Sequence, residues 1–175
     1  MLAGERGFIP MSLALNTEFV KSHWEAIEEG AARSGRTPSR GDWRLVRDVY
    51  VADTDEEARH AALNGMLGRV WQDYLLGLFK AFDLMSVFKH DPEVPDEAVT
   101  LEYLADHMWL IGSPSTVAGK IRDLYNNVGG FGGLLVLVYD HSQDQKGWDK
   151  STRLLAQEVM PQLADLAPAQ GLLVR

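Results

Sequence analysis

The sequence predicts an α/β protein in which parallel strands are covered by amphipathic helices. The segment from Gly112 to Asp140 has the pattern of a helix followed by a buried strand. A second candidate strand, Trp43 to Ala52, leads directly into a helix with a capping signal at Thr54. Helices that alternate with strands in this way are typical of parallel sheets, so the order of the elements predicts the fold class.

The helix within the Gly112–Asp140 segment has a start signal and a stop signal. Ser113 suits the N-cap, and Pro114 suits the first helical position, where a missing N–H costs nothing. Gly129 and Gly130 suit the left-handed conformation that often ends a helix. The apolar residues between these signals recur at helical spacing: Val117, Ile121, Leu124 and Val128.

The strand predicted after this helix, Leu134 to Val138, is apolar without interruption. An antiparallel strand with one solvated face would alternate apolar and polar residues. An unbroken apolar run is instead typical of a parallel strand that is covered on both sides. The pattern alone is explained by a structural α/β unit and assigns no function to it.

The first part of the chain predicts a strand and a long helix. The mostly apolar stretch Phe8 to Leu15 favours a strand. Pro10 cannot donate a ladder hydrogen bond, so it belongs at an edge, a bulge or the start of that strand. A helix is expected from about Glu18 to Ser34, with Asn16 or Thr17 as its N-cap.

The strand predicted over Arg44 to Val51 carries charged residues that need partners if they are buried. Arg47 and Asp48 are therefore expected either to form ion pairs at the rim of the sheet or to lie near a ligand. Thr54 and Glu57 have the spacing of a capping box, which predicts the start of the next helix.

Three later segments complete the chain. A stripe of aromatic and aliphatic residues from Leu67 to Phe79 is expected to pack in the core or to roof a cavity. Residues 83–111 include two prolines and mixed charges and predict an excursion with a short helix from Thr100 to Leu110. A last helix is expected from about Lys146 to Val159.

The composition excludes several classes of function. The 175 residues are 46% hydrophobic and 24% charged, as in a globular domain, and the net charge of −8 gives no basic patch for nucleic acid. The absence of cysteine excludes disulfides and thiolate chemistry, and the histidines and carboxylates have no recognised metal spacing. Neither a membrane span nor a signal peptide is present, so a cytoplasmic location is expected.

Three blocks of the sequence, in order, resemble the luciferase-like flavin-dependent monooxygenases, and most closely their limonene-monooxygenase-like branch. The blocks are Trp43 to Arg59, Ser113 to Asp140 and Leu155 to Leu163. The resemblance implies a partial (β/α)8 barrel comprising about the last three βα units, since a complete barrel needs about 250 residues. It also implies that residues 1–175 form a single domain, with residues 83–111 as an insertion or excursion.

The resemblance implies a monooxygenase that uses reduced flavin, as FMN, and O2 on a small organic substrate. A flavin reductase is the implied electron donor. Three parallel strands with open edges leave backbone groups unpaired, so a homo-oligomer or pairing with an N-terminal half is expected. Two alternatives stay open: a non-catalytic truncated relative or associating subunit, and a deazaflavin-dependent oxidoreductase.

The resemblance also implies which residues approach the site. Ser12 and Asn16 are expected near the flavin, although Asn16 is equally explained as a helix cap. The residues expected to line the substrate pocket are His107, Trp109, Asp140 and His141. Tyr139-Asp140-His141 follows the last strand, where relatives commonly carry a His-Asp-Trp-like turn. No catalytic residue and no metal ligand is assigned.

Overall fold

The computed structural model describes residues 1–13 and 15–166, and its strands are all parallel. They form one sheet of three strands in the order β1–β2–β5 and a second sheet of two strands, β3 and β4. The bounds are Met11–Ser12 for β1, Arg44–Arg47 for β2, Val49–Val51 for β3, Leu110–Gly112 for β4 and Gly133–Val136 for β5. The predicted α/β class with parallel strands is confirmed.

Only Asp48 separates β2 from β3, and the chain changes partners at that point. The carbonyl of Arg47 accepts a hydrogen bond from Leu137, just beyond β5, whereas the carbonyl of Asp48 accepts one from Leu110 at the start of β4. Successive carbonyls of a strand point in opposite directions. β4 therefore lies on the side of β1, past the point where β1 ends.

Eight α-helices connect and cover the strands of the described chain. They are α1 (Leu2–Arg6), α2 (Thr17–Arg33), α3 (Asp55–Asn64), α4 (Met66–Val70), α5 (Leu76–Ala81), α6 (Leu101–His107), α7 (Pro114–Val128) and α8 (Gln145–Leu154). A π-helical turn, Trp71–Leu75, joins α4 to α5, and another, Leu155–Val159, extends α8. Side chains cap four of these helices: Asn16 caps α2, Thr54 caps α3, Thr100 caps α6 and Asp144 caps α8.

Two cores pack on opposite faces of the extended segment formed by β2 and β3. Leu45, Val49 and Val51 belong to the first core, with the apolar stripes of α2 and α7. Tyr50 and Ala52 belong to the second core, with α3, the 66–88 segment and α6. Alternate side chains of a strand point to opposite faces, and this alternation separates the two cores.

The predicted helix before the last strand is confirmed, but the strand itself is less covered than predicted. Helix α7 runs from Pro114 to Val128 and ends at Gly129, which has the expected positive φ of 77°. In the strand and its continuation, Leu135 and Val138 are exposed. No layer of the described chain covers these two side chains.

The beginning of the chain differs from the prediction. Residues Leu2–Arg6 form the short helix α1, and the strand expected over Phe8 to Leu15 is reduced to Met11–Ser12. Phe8 and Ile9 are exposed and precede Pro10, which cannot donate to a ladder. Apolar composition alone therefore overestimated the length of this strand; Ala14 lies outside the described residues.

The 83–111 segment contains the expected short helix and one strand that the sequence did not predict. Helix α6 ends at His107, and Leu110–Gly112 forms β4 beside β3. Buried side chains of the segment, including Met85, Phe88 and Leu104, pack in the second core. Among the described residues, no helix is long and apolar enough to cross a membrane.

Candidate functional site

The carboxyl ends of the parallel strands bring together a group of polar and aromatic side chains. Ligand sites of parallel α/β proteins form at this end of the strands. The group, called here the strand-end cluster, consists of Asp48 after β2, Tyr139 and His141 after β5, Trp71 after α4 and Trp148 in α8. Each member is buried or half-buried, so the cluster has a defined geometry.

Asp48 lies at the centre of the strand-end cluster. Its side chain is 1% exposed, and Oδ1 accepts a hydrogen bond of 2.6 Å from the hydroxyl of Tyr139. Oδ2 has no hydrogen-bond partner among the described residues. Burial raises the pKa of Asp48 to about 6, even though Tyr139, Trp71 and Arg47 all favour the charged form. A carboxyl with such a pKa changes charge near neutral pH.

Within the described chain, neither Arg47 nor Asp48 forms the rim ion pair that was one of the two expectations for these residues, and their side chains point to opposite faces of the strand. Arg47 shares the face of Leu45 and Val49 and donates to the carbonyls of Leu13 and Val46. Its guanidinium is buried without a carboxylate within 4 Å in the described chain. This burial lowers the pKa of Arg47 to about 10.

Tyr139 connects Asp48 to the loop after β5. Burial first, and then the neighbouring charge of Asp48, raises the pKa of the Tyr139 phenol far above its usual value. The phenol therefore remains protonated and acts as the donor in its bond to Asp48. Sequence reasoning did not select Tyr139 as a site residue, although its position directly after an apolar strand was a usable signal.

The predicted pocket residues Asp140 and His141 both lie in this loop. The ring of His141 stacks on Trp148, with centroids 4.1 Å apart and planes only 3° from parallel. Its Nε2 is buried without a hydrogen-bond partner in the described chain, and burial lowers its pKa. Asp140 is exposed, and hydrogen bonds from Ser142 lower the pKa of its carboxyl. His141 thus belongs to the cluster, while Asp140 shapes the loop.

Trp71 of the cluster lies beside the predicted pocket residue Trp109. Their ring centroids are 6.3 Å apart, and both rings are almost fully buried. Neither indole N–H has a hydrogen-bond partner of normal geometry in the described chain. Trp71 nevertheless lies close enough to Asp48 to favour its carboxylate. The aromatic stripe predicted from the sequence is therefore part of the core and also touches the candidate site.

His107 lies away from the cluster. It is exposed and stacks on His90, with ring centroids 4.0 Å apart. It borders a polar cavity of about 160 Å³ on the helix-covered side, together with Arg47 and Lys120. The structure therefore separates His107 from the predicted pocket residues Asp140 and His141, whereas the predicted pocket residue Trp109 borders the same cavity as His107.

Ser12 and Asn16, the predicted flavin contacts, are occupied by contacts within the chain. The hydroxyl of Ser12 accepts a 2.9 Å hydrogen bond from the indole of Trp43 and lies 3.0 Å from Nδ1 of His23. Asn16 accepts from the amide of Phe19 at the start of α2, and its Nδ2 donates to the carbonyl of Val87. The capping role considered for Asn16 is thus observed; flavin contact stays a prediction for both residues.

The cavity beside the cluster is small. It is bordered by Tyr50 and Arg69 and by both predicted pocket residues of the loop, Asp140 and His141, and it has a volume of about 50 Å³. Cofactor pockets usually measure about 300–1,000 Å³. The residues present fit one wall of such a pocket, with apolar rings and a few polar groups, rather than an enclosed site. The described residues contain no cluster of three or more His, Cys, Asp or Glu side chains that could hold a metal ion.

Comparison with known proteins identifies the family. Residues 1–130 match the family model of luciferase-like monooxygenases. The chain is 36% identical over 162 residues to 3,6-diketocamphane 1,6-monooxygenase of Pseudomonas putida, covering 93% of this chain and 43% of that protein. Limonene 1,2-monooxygenase of Rhodococcus erythropolis is 32% identical over 173 residues, or 95% of this chain and 42% of the relative. The diketocamphane enzyme is therefore more similar than the limonene enzyme named by the predicted branch.

A solved structure gives the same result in three dimensions. The oxygenating constituent of 3,6-diketocamphane monooxygenase from Pseudomonas putida, a type II Baeyer-Villiger monooxygenase in complex with FMN, superimposes with a TM-score of 0.86 at 36% identity. The match covers 92% of this chain and 44% of that one. The chain thus spans less than half the length of the relatives it matches. Sequence and structure agree that this chain belongs to the luciferase-like monooxygenase family.

Proposed function

We propose that the chain is part of a flavin-dependent monooxygenase that uses reduced FMN and O2 to oxygenate a small organic substrate. The observation that carries the proposal is the match over 92% of the chain to an enzyme in complex with FMN. That enzyme is a Baeyer-Villiger monooxygenase, so a ketone is the substrate class that the likeness favours. Neither the non-catalytic alternative nor the deazaflavin alternative is favoured by these relatives.

The chain's own contribution to this activity is one wall of the site. When bound, the reduced flavin supplies the chemistry with O2, while the protein binds, orients and excludes water. The half-buried ring of Trp148 provides apolar surface near the strand ends, while the rings of Trp71 and Trp109 are buried in the core behind it. The phenol of Tyr139 keeps its proton and donates it in a hydrogen bond to the carboxyl of Asp48. His141 presents a half-buried imidazole. Ser12 and Asn16 as flavin contacts, and His107 and Asp140 as pocket residues, belong to the same proposal.

The proposal includes a partial (β/α)8 barrel of about three βα units, which residues 1–175 form as a single domain with 83–111 as an excursion. The register supports it, because Val46 pairs with Leu135 and both belong to the face opposite the first core. On that face, Met11, Leu13 and Leu135 are 62%, 59% and 41% exposed. Barrel interiors are filled by such side chains. Further barrel strands would cover them.

The partners that this proposal requires follow from the exposed face and open edges of the sheet. An N-terminal barrel half, or a second copy of the chain, would cover the exposed face and pair the open edges of β1 and β5. A flavin reductase would supply reduced flavin. The organic substrate and O2 complete the set of partners.

The test is a fluorescence titration with FMN, oxidised and then reduced under argon. The chain is measured alone and together with the N-terminal part of the diketocamphane relative, which supplies the remaining strands. We expect saturable binding at micromolar concentration in the combined protein and at least tenfold weaker binding by the chain alone, because the chain provides only one wall.

The control is the chain with Leu135→Asp, which places a charge on the face that the N-terminal part is proposed to cover. This variant should fail to combine and should behave as the chain alone. Absence of FMN binding by the combined protein, despite a stable complex in size-exclusion chromatography, would contradict the proposed flavin function.

A further inference from the structure

The hydrogen bond between Asp48 and Tyr139 joins the two chain segments just beyond the last ladder hydrogen bond between β2 and β5. Asp48 follows β2, whereas Tyr139 follows β5 and its last ladder contact at Leu137. The donor and acceptor are 2.6 Å apart and the carboxyl is buried. Hydrogen bonds to an ionised or partly ionised carboxyl are among the stronger ones in proteins. The bond therefore fixes the point at which the loop 139–144 leaves the sheet.

The acceptor is itself held in place. Asp48 is part of the backbone ladder through its carbonyl, which accepts from Leu110. Trp71 lies close to the carboxyl of Asp48, and its ring packs against Phe88 and Trp109 at centroid distances of 5.4 and 6.3 Å. A buried carboxyl whose backbone is held in the ladder can position a group that donates to it. Tyr139 is that group.

The far end of the loop has a second attachment. Asp144 caps α8 by accepting from the amide of Gly147, and His141 stacks on Trp148 of the same helix. Between the two attachments, Asp140 closes a turn by accepting from the amide of Ser142. The loop is thus held at Tyr139 by Asp48 and at its end by α8, and it carries His141 at the candidate site.

We propose that Asp48 and Tyr139 are positioning residues that hold the loop 139–144, and with it His141, at the substrate side of the site. The assignment of this loop to the substrate side rests on the proposed function. The positioning itself rests on the hydrogen bond and the burial. Neither residue needs to contact substrate or flavin to have this role.

Hydrogen exchange of the intact chain, read by mass spectrometry over residues 137–144, tests the proposal. Tyr139→Phe keeps the ring and removes the donor, and Asp48→Ala removes the acceptor. Each should speed exchange in the loop by about tenfold or more, the effect of losing one buried hydrogen bond to a carboxyl. The double variant should be no faster than the more severe single variant, because both remove the same bond.

Two controls separate positioning from general loss of stability. Asp48→Asn keeps an oxygen acceptor and should restore slow exchange in the loop. Tyr103→Phe removes a phenol that accepts from the amide of His90 elsewhere in the chain and should leave the loop unchanged. Equal exchange in all variants, or an equal increase across α7 and the loop, would overturn the proposal.

The FMN titration distinguishes this proposal from the function on which it rests. Faster loop exchange in Tyr139→Phe, in a chain whose combined form fails to bind FMN, supports the positioning role and rejects the flavin function. Binding of FMN by the combined wild-type protein, with loop exchange unaffected by either single substitution, supports the flavin function and rejects the positioning role.

Discussion

At the scale of single residues, two neighbours in the sequence have opposite surroundings. Arg47 lies under the helices of the first core, and Asp48 lies at the strand end with Tyr139 and Trp71. The sequence indicated that charged residues in this strand need partners. It did not indicate which partners, because a side chain's surroundings depend on elements about 25 to 90 residues away.

Asp48 should make the stability of the chain depend on pH. Its folded pKa of about 6 is raised from 3.8, so the folded state favours the neutral acid. The contribution is fully present below pH 3.8 and is lost as the pH rises through about 6. Two pKa units correspond to about 3 kcal/mol. We expect the unfolding free energy of the wild type, measured with urea, to fall by up to about this amount between pH 4 and pH 7.

The comparison variant for this measurement is Asp48→Asn, which cannot ionise. The difference between the two unfolding free energies removes the titration of other groups, including His141, whose pKa is lowered. The asparagine variant should gain stability relative to the wild type as the pH rises. A difference that stays constant from pH 4 to pH 7 would show that Asp48 does not titrate differently in the folded chain.

At the scale of elements, local signals predicted the helices better than the strands. The capping residues Asn16 and Thr54 and the stop at Gly129 are where the sequence indicated. The helix at Pro114 has a feature that local reasoning missed: Asp55 of α3 accepts from the amide of Ser113, while the Ser113 side chain makes no capping bond. Helix start signals act within one turn, whereas this contact spans 58 residues.

Removal of the cap of α3 should destabilise the chain modestly. Thr54 accepts from the amide of Glu57 through Oγ1, at 3.1 Å. Thr54→Ala should lower the unfolding free energy by about 1 kcal/mol, as is usual for N-cap residues, in urea denaturation at constant pH. Thr152→Ala, an exposed position within α8, is the control and should change it by less than about 0.5 kcal/mol. Equal effects of the two substitutions would argue against a capping role.

At the scale of the whole molecule, one face of the sheet exposes apolar side chains and is flanked by strand edges without a partner strand in the described chain. Met11, Leu13 and Leu135 lie on it, and β1 and β5 each have an open edge. Open parallel edges with apolar neighbours favour association. This surface explains why a chain that is a family member in sequence and fold is proposed to need a partner for function.

The chain alone should therefore associate at micromolar concentration, with a mass above 19.5 kDa in light scattering. Leu135→Glu should shift it towards the monomer by at least tenfold in dissociation constant. Phe19→Glu changes an equally exposed residue, 42% against 41%, at the start of α2 and should leave association unchanged. A monomer at micromolar concentration for the wild type, or equal effects of both variants, would contradict association through this face.

The sequence by itself determined the α/β class, the start and end of the main helices and the family, since these depend on local spacing and on residues in order along the chain. Only the tertiary structure decided that β1 is short and that β4 exists. It also decided that Asp48, Tyr139, Trp71 and His141 form one cluster from which His107 is excluded. The physical reason is that strand pairing and burial are set by contacts between distant segments, and no local pattern encodes which segments meet.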